Sequence, residues 1–205
     1  MKNRIISELD ASKYTYESID YPIMYIADWS KETNKARGVE ITDASPNIEH
    51  VYIDNNEKEI QCDFFGFKDN ALVISPGNYN RQCECILFPE DRSGKYWVLC
   101  VETKYAKTGK EFKTFDDGAT YPTDMVKQII STVSFLRDKN VIPAEQEVSA
   151  IVSFPKLLDD FSSQFAAIVE SKNQDLSTLN VKIKHNIRIK ATNKAIIKSE
   201  KRIKL

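Results

Sequence analysis

The sequence predicts an α/β fold: a mixed central sheet with flanking helices and extra strands at both ends of the chain. Three observations carry that prediction. Residues 83–88 and 97–104 are apolar, strand-like runs joined by Pro89-Glu90-Asp91-Arg92-Ser93-Gly94-Lys95, a turn-forming segment, so they read as a β-hairpin. Met125, Ile129, Val133 and Leu136 then recur at helical spacing, followed by an apolar strand at 147–155 and a helix at 161–171 bearing Phe161, Phe165, Ile168 and Val169. Further strand-like segments lie before and after this block.

In chain order, Ile5, Ile6 and Leu9 recur at helical spacing and predict a short opening helix. Residues 14–28 mix aromatic and aliphatic side chains without a clean period. Residues 50–54 and 59–62 flank an Asn-rich turn and read as a second hairpin. A strand at 70–75 closes at Pro76-Gly77-Asn78, and all of these strands are expected to join the central sheet ahead of residue 84. The polar stretch 105–121, with Gly109 and Gly118, reads either as a surface loop or as a clamp ordered by substrate. The next helix is expected to start at Pro122-Thr123-Asp124, with Thr123 as its N-cap.

The length of 205 residues fits a single domain, 1–205, with its core at about 66–155. An apolar fraction of 41% with 29% charged residues is that of a packed protein rather than a disordered one. The first residues hold no long apolar core, and no apolar run approaches the ~20 residues of a bilayer span, so no membrane association and a cytoplasmic location are expected.

The net charge of −1 conceals an asymmetry: residues 181–205 carry +8 and the rest of the chain −9. Within this tail Val181, Ile183, Ile187 and Ile189 alternate with Lys182, Lys184, Arg188 and Lys190, which predicts basic C-terminal strands with one cationic face. Such a face is either a solvated sheet edge, where Lys prevents edge pairing, or a surface for phosphate backbones.

Cys62, Cys83, Cys85 and Cys100 raise the question of a zinc site. Strand alternation puts Cys83 and Cys85 on one face and Cys100 on the other, so buried, reduced thiols are the expectation. The sequence contains no Walker-type loop, dinucleotide fingerprint or Gly-X-Ser-X-Gly elbow. The two histidines, His50 and His185, read as surface or strand residues rather than catalytic bases.

The chemistry concentrates on the 83–104 hairpin. Glu84 opens its first strand, and Glu102 and Lys104 close the second, two residues apart and therefore on one face. Antiparallel pairing brings all three to one end, where two carboxylates suit a hard divalent cation and the amine suits a developing oxyanion. An acid, then about twenty residues, then Glu102-Thr103-Lys104 at the end of an apolar strand resembles the PD-(D/E)XK nuclease superfamily. The resemblance covers roughly residues 66–155. It departs from the family pattern in having Glu84 where Asp is usual; Asp63 is a rival for that acid.

The resemblance implies a restriction-endonuclease-like core and metal-dependent hydrolysis of phosphodiesters, in DNA rather than RNA. It implies Mg²⁺ or Mn²⁺ held by Glu84, Glu102 and the carbonyl of Thr103, with Lys104 completing the catalytic set. Gln128 matches a helix glutamine that some members place near the site; it also reads simply as a surface residue. Lys182, Lys184, Arg188 and Lys190 would be the nucleic-acid contacts. Many double-strand cutters of this kind act as dimers, so a homodimer is admitted. The competing reading is an inactive nucleic-acid-binding or protein-interaction module on the same fold, with the three charges a plain ion cluster.

Overall fold

A computed structural model describes residues 1–29, 38–90, 94, 96–105, 121–157 and 161–205. Most of the 105–121 stretch, including Gly109 and Gly118, lies outside the described residues. The architecture is mixed α/β, in three layers: helices, a main sheet and a second sheet.

The main sheet has six strands in the order β1-β5-β8-β9-β10-β11. They are β1 (Tyr14–Ile19), β5 (Cys62–Phe67), β8 (Cys85–Pro89), β9 (Leu99–Thr103), β10 (Val148–Ser153) and β11 (Ile187–Ala191). From β1 to β9 neighbours run antiparallel; β9, β10 and β11 are parallel. Parallel neighbours need a crossover, and α2 (Tyr121–Asp138) supplies it between β9 and β10. Its predicted stripe of Met125, Ile129, Val133 and Leu136 is wholly buried against the sheet. Thr123 lies inside this helix rather than capping it.

The helices α1 (Lys2–Glu8), α2, α3 (Ser162–Lys172) and α4 (Thr178–His185) are the four α-helices among the described residues. Ile5, Phe165, Val169 and Val181 join α2 in a core on one face of the main sheet. The other face is covered by the second sheet, in the order β13-β12-β4-β2-β3. Its strands are β2 (Ile23–Asp28), β3 (Val39–Thr42), β4 (Val51–Asp54), β12 (Lys194–Ser199) and β13 (Arg202–Lys204). The extra strands of the two chain ends thus assemble with each other. Gly66 lets the sheets approach: a Cβ there would sit 2.6 Å from the Val39 carbonyl oxygen.

Three sequence expectations are corrected. Residues 50–54 and 59–62 do not pair, because β4 belongs to the second sheet and β5 to the main one. Residues 70–75 contribute β6 (Val73–Ser75), which pairs only with β7 (Asn78–Tyr79) in an exposed two-stranded hairpin. Residues 181–190 are not one strand. Ser177 caps α4 by accepting from the Asn180 N–H, and the helix ends at Asn186 in the left-handed region, φ 49°. Only from Ile187 onward does the alternation describe a strand, with alternate residues buried. No helix among the described residues is long and apolar enough to cross a membrane.

Candidate metal and phosphodiester site

The carboxyl ends of β9, β10 and β11 share one edge of the main sheet, and antiparallel β8 begins there. Clefts at the carboxyl ends of parallel strands are where open α/β sheets usually bind ligands. The β8–β9 register ends at Cys85 opposite Val101, so Glu84 and Glu102 are the next residues outward on adjacent strands. Both are buried, at 2% and 0% exposure, on the face covered by helices. Lys104 continues from β9, and its Nζ lies 2.6 Å from Glu102 Oε1 and 3.6 Å from Glu84 Oε1. Its side chain retains 22% exposure, so the ammonium is the solvent-facing member of the trio.

The entry to β8 is fixed by polar contacts to α2. The Gln128 side-chain amide donates to the Gln82 carbonyl at 2.8 Å, and the Cys83 N–H donates to Thr132 Oγ1 at 2.8 Å. The Gln82 side chain accepts from the Ala71 and Leu72 N–H groups and donates to the Lys68 carbonyl. Glu84 therefore follows two residues whose backbone is bonded to the helix. Gln128 is half-buried and bonded to Gln82, not to the carboxylates, so it is neither a plain surface residue nor a direct member of the trio.

On the other side of Lys104, the buried Tyr105 ties β9 to the second sheet. Its hydroxyl accepts from the Asp28 N–H at 2.9 Å and donates to the Glu49 carbonyl at 3.0 Å. Burial pushes this hydroxyl above the ordinary tyrosine range. The Asp28 N–H opposes the rise, and the charges of Asp28, Glu84 and Glu49 add to it. At neutral pH it stays a protonated donor. Asn193 locks the neighbouring edge, accepting from Ser153 Oγ and the Phe154 N–H and donating to the Phe154 and Leu157 carbonyls. Thr103, buried and in register with Ser153, lies between the two.

Sequence reasoning missed Gln82, Thr132, Tyr105 and Asn193. Gln82 and Tyr105 adjoin the acid-bearing segments in sequence, whereas Thr132 and Asn193 carried no local signal, because their partners are distant in sequence.

Asp63 does not replace Glu84. It sits opposite Phe88, at the other end of β8, and accepts from the Tyr16 hydroxyl at 2.7 Å with Lys2 Nζ at 3.6 Å. The cysteine geometry also differs from strand alternation. Cys83 precedes the regular strand and turns into the helix-side core with Cys100, whereas Cys62 and Cys85 face the second sheet. All four cysteines are buried, and none of them forms a disulfide among the described residues. Burial foremost, then the hydrogen bond with Cys100 and the charge of Glu102, push the Cys83 thiol well up, so it is not a ready nucleophile.

The tail residues separate as well. Lys182 and Lys184 are on α4, 3.9 Å from Glu147 and 2.7 Å from Asp175 respectively. Arg188 and Lys190 project from β11. The four do not share a face. His50 is half-buried, its Nδ1 2.8 Å from the Ile48 carbonyl, and its ring meets Tyr25 edge-on.

Among the described residues no three His, Cys, Asp or Glu side chains cluster as a metal site. A cation at Glu84 and Glu102 would complete its shell from backbone, water or substrate oxygens, which is ordinary for Mg²⁺. The donors are hard carboxylate oxygens, which suit Mg²⁺ or Mn²⁺ better than zinc. No family model, no curated protein and no solved structure matches this chain.

Proposed function

We propose that this chain is a metal-dependent nuclease of the PD-(D/E)XK kind that hydrolyses phosphodiester bonds, in DNA rather than RNA. One observation carries the reading: two buried carboxylates on adjacent antiparallel strands converge on the ammonium of Lys104 at the carboxyl edge of the parallel strands. The connection of β8, β9, α2 and parallel β10 around that edge supports it, being the strand–strand–helix–strand order the resemblance implies.

Glu84 and Glu102 would hold Mg²⁺ or Mn²⁺, with the Thr103 carbonyl as a further ligand. Bound there, the cation supplies a more acidic water and takes up charge on the scissile phosphate. Lys104 orients the attacking water and stabilises the oxyanion that develops at phosphorus. Its ammonium is held by Glu102, so little reorganisation is needed as charge appears. The Gln82–Gln128 and Cys83–Thr132 contacts keep Glu84 in place, and Tyr105 anchors the chain just after Lys104.

Calorimetric titration with Mn²⁺ tests the metal site, and incubation with plasmid, single-stranded DNA and RNA in Mg²⁺ or Mn²⁺ tests the activity. Binding that disappears in Glu102→Gln, together with cleavage that needs the metal, is the expected result. Absence of both in the wild-type chain leaves the trio an ion cluster and overturns the reading.

A further inference from the structure

A basic groove lies where β11, the edge of the main sheet, meets β13, the edge of the second sheet. The two strands run side by side in the same sense: Arg188 donates to the Ile203 carbonyl at 3.3 Å and Lys190 to a main-chain oxygen of Leu205 at 2.9 Å. A cavity of about 330 Å³ between them is lined by Arg188, Lys190, Arg202 and Lys204, with Ile189, Ile203 and Leu205 as its apolar floor. Among the described residues no acidic side chain lines it. Past Arg188 and Arg202 it opens into a neighbouring hollow of about 500 Å³ of mixed charge, where Lys201 is joined by Glu145 and Glu147, so the uniformly basic stretch is the β11–β13 groove itself.

Strand geometry dictates this concentration. The burial patterns of β11 and β13 expose alternate residues, Arg188 and Lys190 on one, Arg202 and Lys204 on the other. Like-signed side chains thus recur about every 6.6 Å along two adjacent rows. Lys190, Lys201, Arg202 and Lys204 pair with no acidic side chain among the described residues, and Arg188 has Glu147 only at 3.9 Å. By contrast Lys184 is held at 2.7 Å by Asp175. Cations guarding free sheet edges would explain exposed lysines on both strands, since β11 and β13 are each the edge of a sheet. Edge protection does not require the two cationic rows to line one shared groove, as Arg188, Lys190, Arg202 and Lys204 do.

We propose that the β11–β13 groove is a contact surface for the phosphodiester backbone of a nucleic acid. The proposal rests on the nucleic-acid reading of the site above and names where the polymer is held. The groove lies round the sheet edge from the carboxylates. Ala191 and Glu102 both pair with Val152, so the end of β11 is level with Glu102 two strands away, about 10 Å laterally. Arg188 and Lys190 point to the second-sheet side, whereas Glu102 faces the helices. The groove therefore binds length of polymer, not the bond being cut. Lys182 and Lys184 drop out of the contact set, and Lys201, Arg202 and Lys204 enter it.

The experiment is fluorescence anisotropy of the full chain with a short labelled duplex and a labelled single strand, in EDTA so that nothing is cut, across a salt titration. The variants are Lys201→Gln/Arg202→Gln/Lys204→Gln and, separately, Lys182→Gln/Lys184→Gln. Lys201→Arg/Lys204→Arg checks that charge rather than shape is read. The first should lose affinity about ten-fold or more and shed roughly two to three from the log–log salt slope. The second should stay within about two-fold of wild type, and the Arg variant should bind like wild type. Unchanged affinity and slope in the triple Gln variant overturns the surface. So does absence of wild-type binding to either nucleic acid, or stronger binding to vesicles containing phosphatidylserine than to the duplex. Mn²⁺ titration of the same triple variant keeps the two readings apart, since Glu84 and Glu102 are untouched by it.

Discussion

The acid trio and the basic groove hold their charges in opposite ways. At the carboxyl edge, Glu84 and Glu102 are buried, and the flanking backbone is pinned by Gln128, Thr132, Tyr105 and Asn193. At the β11–β13 edge, the cations are exposed; Arg188 and Lys190 bond main-chain oxygens and the Ser149 hydroxyl, and the one acidic side chain near them among the described residues, Glu147, stays 3.9 Å from Arg188. Buried charges must be held in a fixed geometry or they destabilise the fold. Exposed cations without a close acidic side chain keep their charge available to a polyanion. The first arrangement suits chemistry at one atom, the second suits affinity along a polymer.

The largest effect should come from Lys104→Ala. It leaves two buried carboxylates without the ammonium both approach, which should cost about 2–3 kcal/mol after allowing for the partial exposure of Lys104. Cleavage should fall by a factor of about 10² or more. Mn²⁺ should restore the melting temperature of the variant more than it raises that of wild type, because a bound cation replaces the lost charge. A variant that melts like wild type and gains nothing from Mn²⁺ would show that the ammonium is incidental to the pair. The matching change in the groove, Lys204→Gln, should leave the melting temperature unmoved.

Next in size is Thr132→Val. The hydroxyl accepts the Cys83 N–H in a fully buried position, and a methyl group leaves that donor unsatisfied at a cost of about 1–3 kcal/mol. Because Glu84 follows Cys83, Mn²⁺ affinity should weaken as well. Urea denaturation and Mn²⁺ calorimetry on the same variant decide it: lost stability with intact metal affinity would mean that α2 supports the core but does not position Glu84.

These contrasts explain what the sequence could and could not disclose. The β8–β9 hairpin and β10 were legible as short apolar runs between clear turns, buried on both faces, and α2 and α3 as apolar stripes at helical spacing. The convergence of Glu84, Glu102 and Lys104 followed from alternation and antiparallel pairing alone. Partner choice was not legible. The Asn-rich turn at 55–58 looks like a hairpin turn, yet β4 and β5 separate into different sheets, because alternation says which face is buried and not against what. Val181 to His185 alternates as a strand would, and the decisive local signals were its ends: the Ser177 cap and left-handed Asn186. Cys83 left the face assigned to it because the regular strand begins only at Cys85.

The smallest effect concerns the helix that the alternation disguised. His185 ends α4 beside Arg137, whose guanidinium donates to the His185 and Gln146 carbonyls. Burial, then the charges of Arg137 and Lys184, lower its pKa from the usual 6.5. A helix C-terminus ordinarily welcomes a cation, but Arg137 already occupies that position. In the unfolded chain His185 takes up a proton near pH 6.5, and in the folded chain only at lower pH. The unfolded state therefore binds more protons in that window. The stability tied to His185 is complete above about pH 6.5 and is lost as pH falls through the lowered folded value. The melting temperature should drop by ~1–2 °C more across that interval in wild type than in His185→Gln. Parallel curves for the two proteins would place His185 in solvent, away from Arg137. The acid trio makes no contribution to this difference, since Glu84, Glu102 and Lys104 are the same in both, so the comparison isolates the crowded cations at the end of α4.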